Sequence, residues 1–232
     1  MTYEIKGGNF PIVEFVLNKG EKVVCQAGAM CWMDPTLEME TKVNGGVGKM
    51  VGRMFTGERA FQNIYTAITD NAKLSLSSSF PGMIKAIRVT PGQSVICQKS
   101  SFLGYCGNIE MSVFFNKKLR VGLFGGEGFL MQKLSGDGIV FIEIDGSEFE
   151  YDLGRDEQLI LSTGYLVSLS ETCSLDVKTV KGVGNVFFGG EGLFNVVVKG
   201  PGKVTAQSMP IQQLASSIDP YIIKTTSSGS GE

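Results

Sequence analysis

The sequence predicts an all-β chain with one short helix near its C-terminus. Three observations predict it: an internal repeat, apolar alternation at every second residue inside each copy, and turn-forming residues between the alternating stretches. The repeat organises the rest. Val23-Val24-Cys25-Gln26-Ala27-Gly28, Val95-Ile96-Cys97-Gln98-Lys99-Ser100 and Leu159-Ile160-Leu161-Ser162-Thr163-Gly164 align without gaps, at steps of 72 and 64 residues. The same offsets upstream give 12–17, 84–89 and 148–153, followed by the turn-like Asn18-Lys19-Gly20, Thr90-Pro91-Gly92 and Gly154-Arg155-Asp156. Downstream they give Phe55-Thr56-Gly57-Glu58, Phe124-Gly125-Gly126-Glu127 and Phe188-Gly189-Gly190-Glu191. The chain therefore reads as a single domain over 1–222, made of repeats 10–81, 82–145 and 146–209, with a terminal helix over 210–219 and a disordered tail over 223–232.

Each copy reads as strands. Positions 37/109/173, 39/111/175 and 41/113/177 are mostly apolar, whereas the interleaved positions hold Glu, Ser or Asp, which is a strand with one buried face. The runs 73–77, 139–144 and 195–198 alternate or carry β-branched residues between Gly, Pro, Asn and Asp. Units of this length favour a sandwich or jelly roll over a propeller blade, and three of them predict a pseudo-threefold arrangement. Two stretches read as helical. Val47, Met50, Val51, Met54 and Phe55 form an apolar stripe, with Lys49 and Arg53 off it. Over 210–218, Pro210 starts the helix, Ser208 is the candidate cap, Ile211, Leu214, Ala215 and Ile218 share a face, and Asp219-Pro220 stops it.

Composition narrows function. The 232 residues carry a formal charge of −2 and no histidine, which removes Ser-His and Cys-His dyads and every His-ligated metal site. A pI near 5.4 argues against a uniformly basic nucleic-acid binder. No secretory leader or long apolar span stands out, and the odd number of cysteines, 5, fits a reducing compartment, so a cytoplasmic protein is expected.

Candidate sites follow from the repeat. Glu58, Glu127 and Glu191 recur after glycine-led turns; related by a pseudo-threefold, they could hold a cation, but turn chemistry is the simpler reading. Cys25, Cys31, Cys97 and Cys173 align with Leu, Ile or Val and are expected in the core. Cys106 aligns with Asp34 and Ser170 and is the candidate exposed thiol. Glu38/Glu40, Glu143/Asp145 and Glu148/Glu150, spaced by two, read as solvated strand faces. Gly45-Gly46-Val47-Gly48-Lys49-Met50 fails as a phosphate loop, because Val43 stands where its first glycine is needed and Met50 where Ser or Thr is needed.

The triple Gly-Glu motif, Cys25-Gln26-Ala27-Gly28, the Phe80-Pro81-Gly82 turn and the terminal helix together resemble bacterial members of the tryptophan-RNA-binding-attenuator-like superfamily, relatives of a eukaryotic mitochondrial-biogenesis family, over about residues 3 to 222. The resemblance implies three double-stranded β-helix units in pseudo-threefold arrangement. It implies no established biochemical activity, and neither an enzyme nor a cofactor is expected. The resulting expectation is a non-enzymatic binding or scaffold protein that self-associates and could take a protein partner. The alternatives are a single-stranded RNA or small-ligand binder by analogy with the superfamily, and a cation site at the repeated glutamates.

Overall fold

The structure, a computed structural model, describes residues 1–43, 61–117, 128–179 and 194–222. The N-terminal segment holds β1 (Thr2–Lys6), β2 (Ile12–Leu17), β3 (Lys22–Gln26), β4 (Met30–Met33), β5 (Leu37–Val43), β6 (Phe61–Ala67) and β7 (Ala72–Ser77). The middle segment holds β8 (Gly82–Val89), β9 (Ser94–Gln98) and two long strands, β10 (Phe102–Lys117) and β11 (Phe129–Asp145). The C-terminal segment holds β12 (Glu148–Leu153), β13 (Gln158–Ser162), β14 (Leu166–Leu169), β15 (Ser174–Thr179), β16 (Phe194–Lys199) and β17 (Gly202–Gln207), followed by helix α1 (Ile211–Ile218). The chain is mostly strand, as the alternation predicts.

Strand pairing is antiparallel throughout. In the N-terminal segment β7 lies between β2 and β4, and β6 lies between β3 and β5. The C-terminal segment repeats this, with β17 between β12 and β14 and β16 between β13 and β15. In the middle segment the two halves of β11 take the places of the paired central strands, and the two halves of β10 take the places of their outer neighbours. A bulge falls at Cys31, Leu103 and Val167, the same place in each segment.

Two further pairings join the segments. Gly104, Tyr105 and Cys106 of β10 lie opposite Cys25, Val24 and Val23 of β3; Ser168 and Leu169 of β14 lie opposite Cys97 and Ile96 of β9. Gly104 is required at the first junction, since a Cβ there would stand 2.7 Å from the Val24 carbonyl oxygen.

Core packing follows the same linear order. One cluster combines Val13, Phe15, Leu74 and Leu76 with Leu103 and Phe141 of the middle segment. Another combines Ile96, Phe129 and Met131 with Val177, Val196 and Val198. The third lies within the middle segment except for Val167. Phe15 and Phe141 meet edge to face at 5.0 Å across the first junction. None of these clusters joins the N-terminal to the C-terminal segment.

Several expectations need correction. The alternating face is buried at Leu37 of β5, at Ile109 of β10 and at Cys173 just before β15, but Met39 and Val113 are 50% and 60% exposed, so burial fades along β5 and β10. Helix α1 begins after Pro210 and ends at Ile218, before Asp219-Pro220, as expected, yet none of its residues is buried, and a 3-10 turn over Asp219–Tyr221 follows it. Ser208 does not cap it: its hydroxyl accepts from the Ser147 N–H. The helical reading of 47–55 and the tail 223–232 fall outside the described residues. Among the described residues no helix is long and apolar enough to cross a membrane.

Candidate functional site

A cleft lined by two acids arises at the end of β11. Val140-Phe141-Ile142-Glu143-Ile144 is buried on both faces, so Glu143, 3% exposed, is a carboxylate inside an otherwise apolar stretch of the strand. Two residues on, Asp145 lies on the same face. β8 fixes both, with Ile84 opposite Glu143 and Gly82 opposite Asp145. Gly82 must be glycine: a Cβ would stand 1.9 Å from the Ile144 carbonyl oxygen. The Phe80-Pro81-Gly82 turn thus closes tightly on the strand that carries the two acids.

Burial of Glu143 is balanced by donors. Its Oε1 accepts from Gln26 Nε2 at 2.8 Å and from Ser79 Oγ at 3.1 Å. Its Oε2 accepts from the Ser79 N–H at 2.5 Å and from Ser78 Oγ at 3.1 Å. Desolvation still dominates and pushes the carboxyl above its usual range, the four donors opposing it. Gln26 ends β3, so this carboxylate ties the first junction to the turn leaving β7.

Asp145 serves the other side. Its Oδ2 accepts from the Ile211 N–H at 3.0 Å, the first orphan donor of helix α1, and so supplies the cap that Pro210 cannot. Its own N–H donates to Gln207 Oε1 at 2.8 Å, and Gln207 Nε2 donates to the Gly164 carbonyl at 2.8 Å. Burial raises the Asp145 carboxyl too, with the Ile211 N–H opposing.

Glu143, Asp145, Gln26, Ser100, Gln207 and Gln212 line a cleft of about 190 Å³, completed by Ser79, Phe80 and Ile211. Residues from all three segments meet there. The lining is rich in acceptors and holds no Lys or Arg, which suits a donor-bearing neutral or cationic molecule and disfavours a phosphate.

Glu38 and Glu40 are exposed, and the acids of the third spaced pair are ion-paired. Glu148 and Glu150 meet Lys85 at 2.5 and 2.8 Å, and Glu150 also meets Lys203 at 3.3 Å. Glu171 pairs with Lys133 and accepts from Ser94 Oγ at 2.6 Å, binding β9 and β11 to the loop after β14. The solvated reading therefore fails for Glu143, which is 3% exposed.

The cysteines divide differently from expectation. Cys25, Cys97 and Cys173 are buried as predicted, and burial pushes the Cys25 and Cys97 thiols up to about 12. Cys106 is buried, because its strand lies between β3 and β11. Cys31 is exposed: among the described residues no strand pairs with the outer edge of β4. Glu58, Glu127 and Glu191 lie outside the described residues. Glu143 is the residue sequence reasoning missed. Its signal is an acid between Ile142 and Ile144 in a doubly apolar run, at a position that holds Ser77 and Gln207 in the other two segments.

A family model described as mitochondrial biogenesis AIM24 matches residues 3–209. The chain belongs to this family. The AIM24-family chain is 29% identical over 222 residues to an uncharacterized protein of Streptococcus pyogenes serotype M6, an alignment covering 92% of this chain and 87% of the relative. It also superposes on the crystal structure of a Streptococcus pyogenes protein with a TM-score of 0.77 and 24% identity, covering 95% of this chain and 99% of the other. That likeness concerns the fold, which the AIM24-family chain shares over nearly its whole described length.

Proposed function

We propose that this AIM24-family chain is a non-enzymatic binding or scaffold protein that associates with copies of itself. The observation that carries the reading is an apolar strand edge at each end of the row of segments that is unpaired among the described residues: Trp32 and Met33 on β4 are 53% and 37% exposed, and Ile160 on β13 is 63% exposed. Exposed apolar edge strands are templates for further strand pairing. The cleft supports the same reading. Its two carboxylates are engaged in holding β3, the turn after β7 and helix α1 together, which is structural work.

The architectural part of the proposal is that one ancestral module, jelly-roll-like and akin to the tryptophan-RNA-binding-attenuator-like fold, was copied twice. The recurring pairing order and the threefold recurrence of the bulge support it. A cytoplasmic location is part of the same reading, supported by five free cysteines. Sedimentation of the purified full chain tests the reading: a mass of at least two 25.0 kDa chains is expected, and a single-chain mass at every concentration contradicts it. Turnover of a defined substrate that is lost in Glu127→Gln would contradict the non-enzymatic part.

A further inference from the structure

We infer that β4 of one copy pairs with β13 of a second copy, head to tail, with Trp32 opposite Leu161 and Met33 opposite Ile160. This rests on the self-association proposed above and specifies its surface.

The argument starts from the two internal junctions. At each, the strand that begins with a bulge lies along one strand of the preceding segment: β10 along β3, and β14 along β9, the strand equivalent to β3. Applying the repeat offsets to Gly104↔Cys25 and Ser168↔Cys97 gives Trp32↔Leu161; applying them to Tyr105↔Val24 and Leu169↔Ile96 gives Met33↔Ile160. Neither pair forms within the chain. Among the described residues β4 ends the sheet β1-β2-β7-β4, and β13 ends the sheet β13-β16-β15.

Burial shows what those edges lack. The bulge residue acts as a knob that enters the preceding segment's core: Leu103 packs in the N-terminal cluster and Val167 in the middle cluster, each 0% exposed. Cys31, at the same bulge, is exposed. β14 is buried at all four residues, whereas the equivalent β4 is exposed at three of four. On the receiving side Cys25 and Cys97 are buried, whereas Leu161 is only partly buried. Leu159, Leu161 and Leu175 border the C-terminal core as partly buried residues, the place a knob from β4 would cover.

The sequences suit the pairing. Met30-Cys31-Trp32-Met33 and Gln158-Leu159-Ile160-Leu161-Ser162 contain no charge and no proline, the devices that ordinarily keep an edge strand from pairing. Because the two edges differ, the contact is heterologous and propagates from copy to copy until it closes or extends.

Light scattering on the full chain, on Trp32→Lys, on Ile160→Lys and on an equal mixture of the two variants tests this. The expected masses are at least two chains for the natural sequence, one 25.0 kDa chain for each variant alone, and two chains for the mixture, in which an intact β4 meets an intact β13. Recovery in the mixture also shows that both variants fold. Assembly of the variants equal to that of the natural chain overturns the edge pairing and leaves the scaffold reading standing. Monomeric variants whose mixture stays monomeric overturn the head-to-tail arrangement. A natural chain that is monomeric from micromolar to submillimolar concentration overturns both.

Discussion

Gln26 Nε2 donates to Glu143 Oε1 across 2.8 Å, joining side chains 117 residues apart in sequence. The bond locks the end of β3 to the end of β11, next to the place where β10 and β3 pair. Removing the carboxylate takes the short acceptor from the Gln26 amide and the acceptor from the Ser79 hydroxyl and N–H, whereas the Ser78 hydroxyl keeps the Phe80 carbonyl at 2.9 Å. Glu143→Ala is therefore expected to lower stability by about 1–3 kcal/mol. Glu143→Gln, which keeps one acceptor oxygen, should cost less. Urea denaturation of the two variants checks the order, and equal stability of Glu143→Ala and the natural chain contradicts it.

Titration of the same group has a definite sign. Burial raises the folded-state pKa of Glu143 above its unfolded value, so its contribution is full below the unfolded pKa and is lost as pH rises through the raised one. The stability of the natural chain minus that of Glu143→Gln should fall as pH rises from the ordinary carboxylate range through that raised value. A flat or rising difference contradicts the burial argument. Glu150 has the opposite sign: Lys85 and then Lys203 hold its carboxyl below the usual range, so its contribution is present above the unfolded pKa and is lost as pH falls through the lowered one.

Helix α1 depends on one side chain. Its residues are unburied, and its first N–H is met by Asp145. Asp145→Ala should weaken the helix by about 1 kcal/mol, as loss of a cap does, with little change in the β core. Faster proteolysis within 209–222 at an unchanged melting temperature is the expected result. Unchanged proteolysis would show that another contact holds the helix.

Much of the β architecture was legible in the sequence because strand periodicity and turn chemistry are local. Glu143 was not legible, since its burial depends on β8 and on the turn at Ser78 and Ser79, both distant in sequence. The two misplaced cysteines show the same limit. Aligned positions share a strand and a bulge, but Cys31 lacks the neighbouring segment that covers Leu103 and Val167, and Cys106 gains one. The alignment conveys a residue's own strand and is silent on what packs over it.

Thiol chemistry reads this division directly. In the native chain a small alkylating reagent should modify Cys31 first, while Cys25, Cys97, Cys106 and Cys173 react only after unfolding. Peptide mass spectrometry gives the order. Rapid native labelling of Cys106 would contradict its placement beneath the first junction.

Hydrogen exchange on the full chain at low and high protein concentration measures the two free edges most directly. Head-to-tail pairing predicts that amides within 31–33 and 159–161 exchange more slowly as concentration rises, while those of the already paired β9 and β14 do not change. Assembly with unaltered exchange at both edges would contradict the account.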